Sequence, residues 1–227
     1  MNSSSHLQNS RIIELLAALE SDKREMLKFG MEMTGGKGAP IFPLDLVTLG
    51  AIKRNLSLTA AIRLMVESSN MVCSRALLRV HIDTSLRYSA AWLVKKPHDF
   101  ATKILAGDRI DRMKDPDGKR LTDAHLVEVR AADYPWLPVV YERLSGYIHF
   151  SGAHIFDSIA SLNDESRTVD FEIKDTDLNF PKESWIEVLE CFRDATGMLA
   201  KYIQGYRLTK QPSMSKCNSY EDFSQTS

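Results

Sequence analysis

The sequence predicts a mainly α-helical protein: a helical bundle with at most one short β-strand or hairpin near residues 167–181. Apolar residues recur every three or four positions over 10–33 and again over 182–207, as on one face of a packed helix. Only Arg167–Lys174 alternates apolar and polar residues, which is typical of a strand. With 44% hydrophobic and 26% charged residues, the chain has the composition of an ordinary globular protein.

Turn-forming residues divide the helical patterns. Gly and Pro interrupt them at Thr34–Pro40, and Pro135 with Pro138 opens a late helix. The strand is expected to pair with a neighbouring extended segment such as 179–181, or with another chain. The predicted helices cover, in chain order, residues 10–33, 43–53, 56–70, 71–96, 121–132, 136–162 and 182–207.

A single helical domain over residues 10–207 is expected, because no repeat or linker divides it. Residues 1–9 and 208–227 are rich in Ser, Asn and Gln, which predicts disordered ends. The three cysteines lie far apart, as in a reducing compartment, and no apolar run is long enough for a signal or a membrane span. A cytoplasmic location without membrane contact is therefore expected.

The common catalytic and cofactor motifs are missing from the sequence. It contains no HExxH, GxSxG, CxxC or dinucleotide-binding pattern, and no metal cluster or cofactor is predicted. The Gly-Gly-Lys-Gly of residues 35–38 lacks the residue order of a phosphate loop, and Asp115–Gly118 lacks the remaining ligands of a calcium loop. The net charge of −1 argues against general attraction to nucleic acid, although Met71–Arg130 carries 12 Lys and Arg against 8 Asp and Glu.

A polar stripe crosses the most apolar predicted helix, 71–96. Apolar residues lie nearly all round this helix, which predicts that it is central. Arg75, Arg79, Asp83 and Arg87 nevertheless follow one another at intervals of four residues. Buried charges must be paired, so we expect Asp83 to lie within reach of Arg79 or of polar groups on a neighbouring helix.

The late helix supplies such polar groups. Ser145 and His149 lie four residues apart on one face, and Tyr141 lies one turn earlier. Arg143 borders the same groove in this prediction, and Arg79 or Asp83 is expected near His149. A histidine can transfer a proton near neutral pH and an arginine can hold a phosphate in a bidentate manner, so the set could cleave a phosphodiester without metal.

The segment Arg143-Leu-Ser-Gly-Tyr-Ile-His149 resembles the motif of the HEPN superfamily of helical domains, in which an Arg precedes a His by a few residues. Its Tyr-x-x-Leu-Ser-x-Tyr-x-His pattern, with Arg79 and Asp83 upstream, also resembles an uncharacterised family of helical bacterial proteins. The resemblance covers about residues 56–160. It implies an endoribonuclease in a defence or toxin-like role, with Arg143 and His149 catalytic and Ser145, Asp83, Arg79 and Tyr141 supporting. Leu144 stands where such nucleases usually carry a polar residue.

Two other interpretations fit the same residues. Asp83, Ser145 and His149 would then form only a polar cluster that fixes the packing of two central helices. Alternatively, the helices form a non-catalytic module for interaction, dimerisation or nucleotide binding. A homodimer is expected, with RNA, a nucleotide or another protein as the further candidate partners.

Overall fold

The mainly α-helical prediction is confirmed in the computed structural model, which describes residues 5–33 and 40–221. Short 3-10 turns at Ser5–Gln8, Ala90–Trp92 and Ile110–Arg112 accompany the longer elements. In chain order, the α-helices and β-strands of the described residues are α1 Ser10–Met33, α2 Pro43–Glu67, α3 Met71–Ser89, α4 Pro97–Leu105, α5 Asp123–Arg130, α6 Leu137–Ile148, α7 Gly152–Asp157, β1 Ile159–Asn163, β2 Thr168–Phe171 and α8 Lys182–Glu221.

Helix α3 is central, as its sequence predicts. It packs against α2, α6 and α8, and α1 closes the bundle against α2 and α8. Its side chains Leu78, Ile82 and Leu86 are buried together with Trp185 and Phe192 of α8. No helix among the described residues is both long enough and apolar enough to cross a membrane.

The chain packs closer to its ends than predicted. His6 is buried and stacks on Trp185, with the ring centroids 4.3 Å apart, and its Nε2 forms a hydrogen bond of 3.0 Å with the Val66 carbonyl. The predicted disorder is therefore wrong for residues 5–9. Helix α8 continues beyond Arg207 because the Lys210 ammonium is buried, donating to Asp45 Oδ2 at 2.7 Å and to the Met33 carbonyl at 2.8 Å. The segments 1–4 and 222–227, and the Gly-Gly-Lys-Gly of 35–38, lie outside the described residues.

Two predicted helix boundaries are wrong. The predicted helices 43–53 and 56–70 are one helix, α2, because nothing between them breaks it and Asn55 is buried, donating its amide to Thr196 of α8. Helix α3 ends at Ser89 rather than Lys96, and a 3-10 turn follows before Pro97.

The predicted helix 136–162 is also wrong beyond Ile148. The hydroxyl of Ser151 donates to the Gly146 carbonyl at 2.9 Å and accepts from the Ala153 amide at 3.3 Å, so it folds α7 back against the end of α6. A Cβ on Gly146 would meet Ser151 Oγ at 2.9 Å, which explains the glycine at this close approach.

The chain then forms one antiparallel hairpin. Strand β2 falls inside the predicted 167–174 segment, but its partner is the upstream strand β1 and not the predicted residues 179–181. Downstream of the hairpin, Asp177 instead accepts the Met71 amide at 2.7 Å and caps α3.

Candidate functional site

The polar stripe of α3 pairs where α6 crosses it. Arg79 Nη1 lies 2.5 Å from Asp83 Oδ1, which confirms the expected pair. The Arg79 guanidinium carbon lies 3.6 Å from the ring centroid of Tyr141, and the Arg79 side chain is only 9% exposed. The ring of Tyr141 therefore covers a nearly buried cation.

Burial dominates the electrostatics of this cluster. Desolvation raises the pKa of Asp83 despite the opposing effect of Arg79. Desolvation, followed by the nearby carboxylate of Asp83, also raises the pKa of Tyr141. The neutral ring of Tyr141 packs its face against the Arg79 guanidinium.

The flanking arginines of the stripe have other partners. Arg87 donates to both oxygens of Asp123 on α5, at 2.9 and 3.0 Å. Arg75 hydrogen-bonds the Tyr147 hydroxyl, lies 3.4 Å from Asp157, and sits 4.8 Å from the ring centroids of Tyr147 and Phe180. The stripe thus ties α3 to α5, α6, α7 and the segment after the hairpin.

Ser145 does not join this cluster. Its hydroxyl donates to the Tyr141 carbonyl one turn earlier, at 2.9 Å. This bond within α6 satisfies the side chain locally. The structure therefore does not bring Ser145 together with Asp83 or His149.

Arg143 and His149 are exposed rather than packed on α3. The Arg143 side chain is 69% exposed and lies 3.5 Å from Glu187 on α8. His149 follows the end of α6 in an extended conformation and makes no hydrogen bond or ion pair with Arg79 or Asp83 among the described residues. Helix α6 ends at Ile148, so His149 leaves the helical stripe that the sequence predicted for it.

A small cavity lies beside Arg143. It has a volume of about 270 Å³ between α3, α6 and α8. Leu78, Leu144 and Val188 supply apolar lining, and Arg143 and Glu187 stand at its edge. Leu144 is 5% exposed, so the position after Arg143 belongs to the core of this chain.

The sequence interpretation missed an exposed apolar surface. We define the hairpin face as Ile159, Leu162, Val169, Phe171 and Ile173. Leu162 pairs with Val169 and Ile159 with Phe171, which places these four side chains on one side of the hairpin, and Ile173 follows two residues after the end of β2. The alternation over 167–174 predicts that one side of this strand is apolar, but it does not predict that this side faces solvent. Neighbouring exposed apolar residues of α6, α7 and their connection are Ile148, Phe150, Ile155 and Phe156.

Comparison of the chain with protein-family models, with curated proteins and with solved structures finds no match in any of the three. Within the described ranges, no group of three or more His, Cys, Asp or Glu side chains is placed to hold a metal ion.

Proposed function

We propose that the protein is a helical interaction module that self-associates through the hairpin face. The observation that carries this proposal is the exposure of its side chains: Leu162 is 67% exposed, Phe171 58% and Ile173 90%. Soluble proteins rarely leave a contiguous apolar surface uncovered unless it serves an interaction.

The hairpin needs a covering partner for its own stability. A two-stranded hairpin is marginally stable in water unless its apolar face packs against something. Helix α7 touches β1, but Phe156 of α7 is itself 74% exposed. Each partner of a stable interface buries roughly 800 Å², so we expect the exposed residues Phe150, Ile155 and Phe156 to join the hairpin face in the contact.

The distribution of charge allows a second copy of the chain to be that partner. Asp170 and Ser161 pair at 2.5 Å across the strands, on the side opposite Val169 and Leu162. The hairpin face itself carries no charge, so two copies can meet face to face without placing like charges in contact. Such a two-fold contact is the commonest form of protein self-association.

Sedimentation of the full chain at micromolar concentration tests the proposal. The parent protein is expected to be a dimer, and Val169→Lys, on the hairpin face, is expected to be a monomer. Thr168→Lys is the matched control, because Thr168 is the preceding residue of the same strand and is also exposed. A monomeric parent, or equal dissociation of both variants, would rule out this interface.

A second candidate function is metal-independent cleavage of RNA, as the HEPN resemblance implies. The observation that favours it is the exposure of both Arg143 and His149, which leaves them accessible to a phosphodiester. His149 lies next to the exposed Phe150, so pairing of two copies through this region would bring residues of both copies to one groove. The buried Leu144 departs from the pattern of active nucleases.

Incubation with RNA in the presence of a chelator tests this candidate. Cleavage should leave a 2′,3′-cyclic phosphate, and His149→Ala should slow it about 100-fold, the scale of a lost general acid or base. The fold should survive, because His149 is exposed and its side chain makes no hydrogen bond, ion pair or ring contact among the described residues. His98→Ala, a change at an exposed histidine on α4, is the control. If the dimeric parent does not cleave RNA, the nuclease proposal is wrong and the interaction module remains the proposed function.

A further inference from the structure

A groove lies between α2 and α3, away from the hairpin face. Its volume is about 410 Å³. From α2 it is lined by Val47, Gly50, Ala51 and Arg54, whose spacing follows successive turns of one helix face. Ile104, at the end of α4, and Ile110 line it from a third direction, and α3 contributes Asp83, Thr84, Arg87 and Tyr88.

Small residues on α2 keep the groove open. Gly50 lacks a side chain, and a Cβ built at this position meets no atom within 4 Å. Glycine inside a helix lowers its stability by about 1 kcal/mol relative to alanine. Neither a close neighbouring atom nor a positive φ requires glycine at this position. What the glycine provides is open space in the groove.

Two guanidinium groups give the groove unused hydrogen-bond donors. Arg87 binds Asp123 through Nη2 alone, and its side chain is 41% exposed. Arg54 makes no ion pair or hydrogen bond within the described part of the chain. The lining of the groove therefore carries one arginine without an ion-pair partner, Arg54, beside a second arginine that is only partly engaged.

The carboxylate of the groove does not cancel this charge. Asp83 pairs with Arg79 at 2.5 Å, and Arg87 pairs with Asp123. Arg54 is left as the uncompensated charge of the lining. Burial is the main cause of the lowered pKa of His81 in the core, and the positive charge of Arg54 lowers this pKa further.

We propose that this groove binds a small organic oxyanion carried on an apolar body. The guanidinium groups of Arg54 and Arg87 supply charge and donors for a carboxylate or phosphate, and Val47, Ile104 and Ile110 contact the apolar part. Charge-assisted hydrogen bonds to guanidinium groups are the usual means of holding either anion. The proposal is independent of self-association and of RNA cleavage.

Calorimetric titration of the full chain distinguishes the ligand chemistries. The probes are phenyl phosphate, benzoate and, as the uncharged counterpart, benzyl alcohol. Saturable binding of one or both anions is expected, with at least about tenfold weaker binding of the alcohol, equivalent to one charge-assisted hydrogen bond. The stronger anion identifies the head group. Equal binding of all three, or no saturable binding of either anion, would overturn the proposal.

Matched glycine substitutions show whether binding occurs in this groove. Gly50→Leu should fill the groove and weaken anion binding more than about tenfold, while leucine favours the helix. Gly197→Leu on α8 is the control, because a Cβ there also meets nothing within 4 Å and Gly197 lies outside the groove. Arg54→Gln should weaken binding by about tenfold. Unchanged affinity in Gly50→Leu would place the anion elsewhere and refute the site.

Discussion

The guanidinium of Arg79 lies against the ring of Tyr141, with its central carbon 3.6 Å from the ring centroid. This stacking joins α3 to α6 at a position where Arg79 is nearly buried. A desolvated cation over an aromatic face contributes about 2 kcal/mol, more than a comparable exposed pair. The polar stripe of α3 is therefore part of the packing of the bundle.

Removing the ring of Tyr141 should destabilise the fold, because Arg79 would then be buried without its aromatic partner. Tyr141→Leu is expected to lower the free energy of unfolding by about 2 kcal/mol, measured by urea denaturation. Tyr141→Phe keeps the aromatic face and should retain most of the stability. Equal loss in both variants would show that the hydroxyl, not the ring, is the important group.

Breaking the Arg79–Asp83 pair should have a larger effect. Asp83→Ala leaves Arg79 without its carboxylate and is expected to cost about 3 kcal/mol, the low end for a buried pair because the Asp83 side chain is 26% exposed. The double variant Arg79→Met/Asp83→Leu removes both charges and should be more stable than Asp83→Ala. A double variant less stable than Asp83→Ala would contradict this account.

His81 should make stability fall in acid. Burial lowers its pKa from 6.5 to about 3, and its Nε2 lies 2.9 Å from Thr196 Oγ1. The unfolded chain therefore binds a proton that the folded chain excludes between these two values. This contribution to stability is complete above pH 6.5 and declines toward pH 3 by at most about 1.4 kcal/mol per pH unit.

Denaturation of His81→Gln over this pH range checks the assignment. The variant should be less stable than the parent near neutral pH, but its stability should fall less steeply as the pH is lowered. His98→Gln makes the same substitution at an exposed histidine and is the control. Identical slopes for the parent and His81→Gln would mean that His81 does not exclude the proton.

Gly146 should be essential to the turn between α6 and α7. Gly146→Ala places a methyl group 2.9 Å from Ser151 Oγ, so the Ser151 bridge must shift. A loss of about 1–3 kcal/mol is expected, the usual range for overpacking. Gly197→Ala is the control because its Cβ meets open space, and it should be neutral or stabilising. If Gly146→Ala stabilises the protein as much as Gly197→Ala does, the close approach is not a constraint.

The sequence by itself determined the helical class, the central position of α3 and the Arg79–Asp83 pair. Each depends on local periodicity: apolar residues at helical spacing must be buried, and charges four residues apart on a buried helix must neutralise one another. It also located β2, because apolar and polar residues alternate over 167–174, as they do in a strand with one apolar side.

Only the tertiary structure decided which of the predicted site residues meet. The extended backbone at His149 and the Ser151 bridge depend on how α7 packs back on α6, which no spacing along the chain encodes. Burial of His6 on Trp185, and of Lys210 beside Asp45, likewise joins distant parts of the chain. Periodicity shows that a face is apolar, but whether another element covers it depends on three-dimensional packing, and in the described structure the hairpin face is left exposed to solvent.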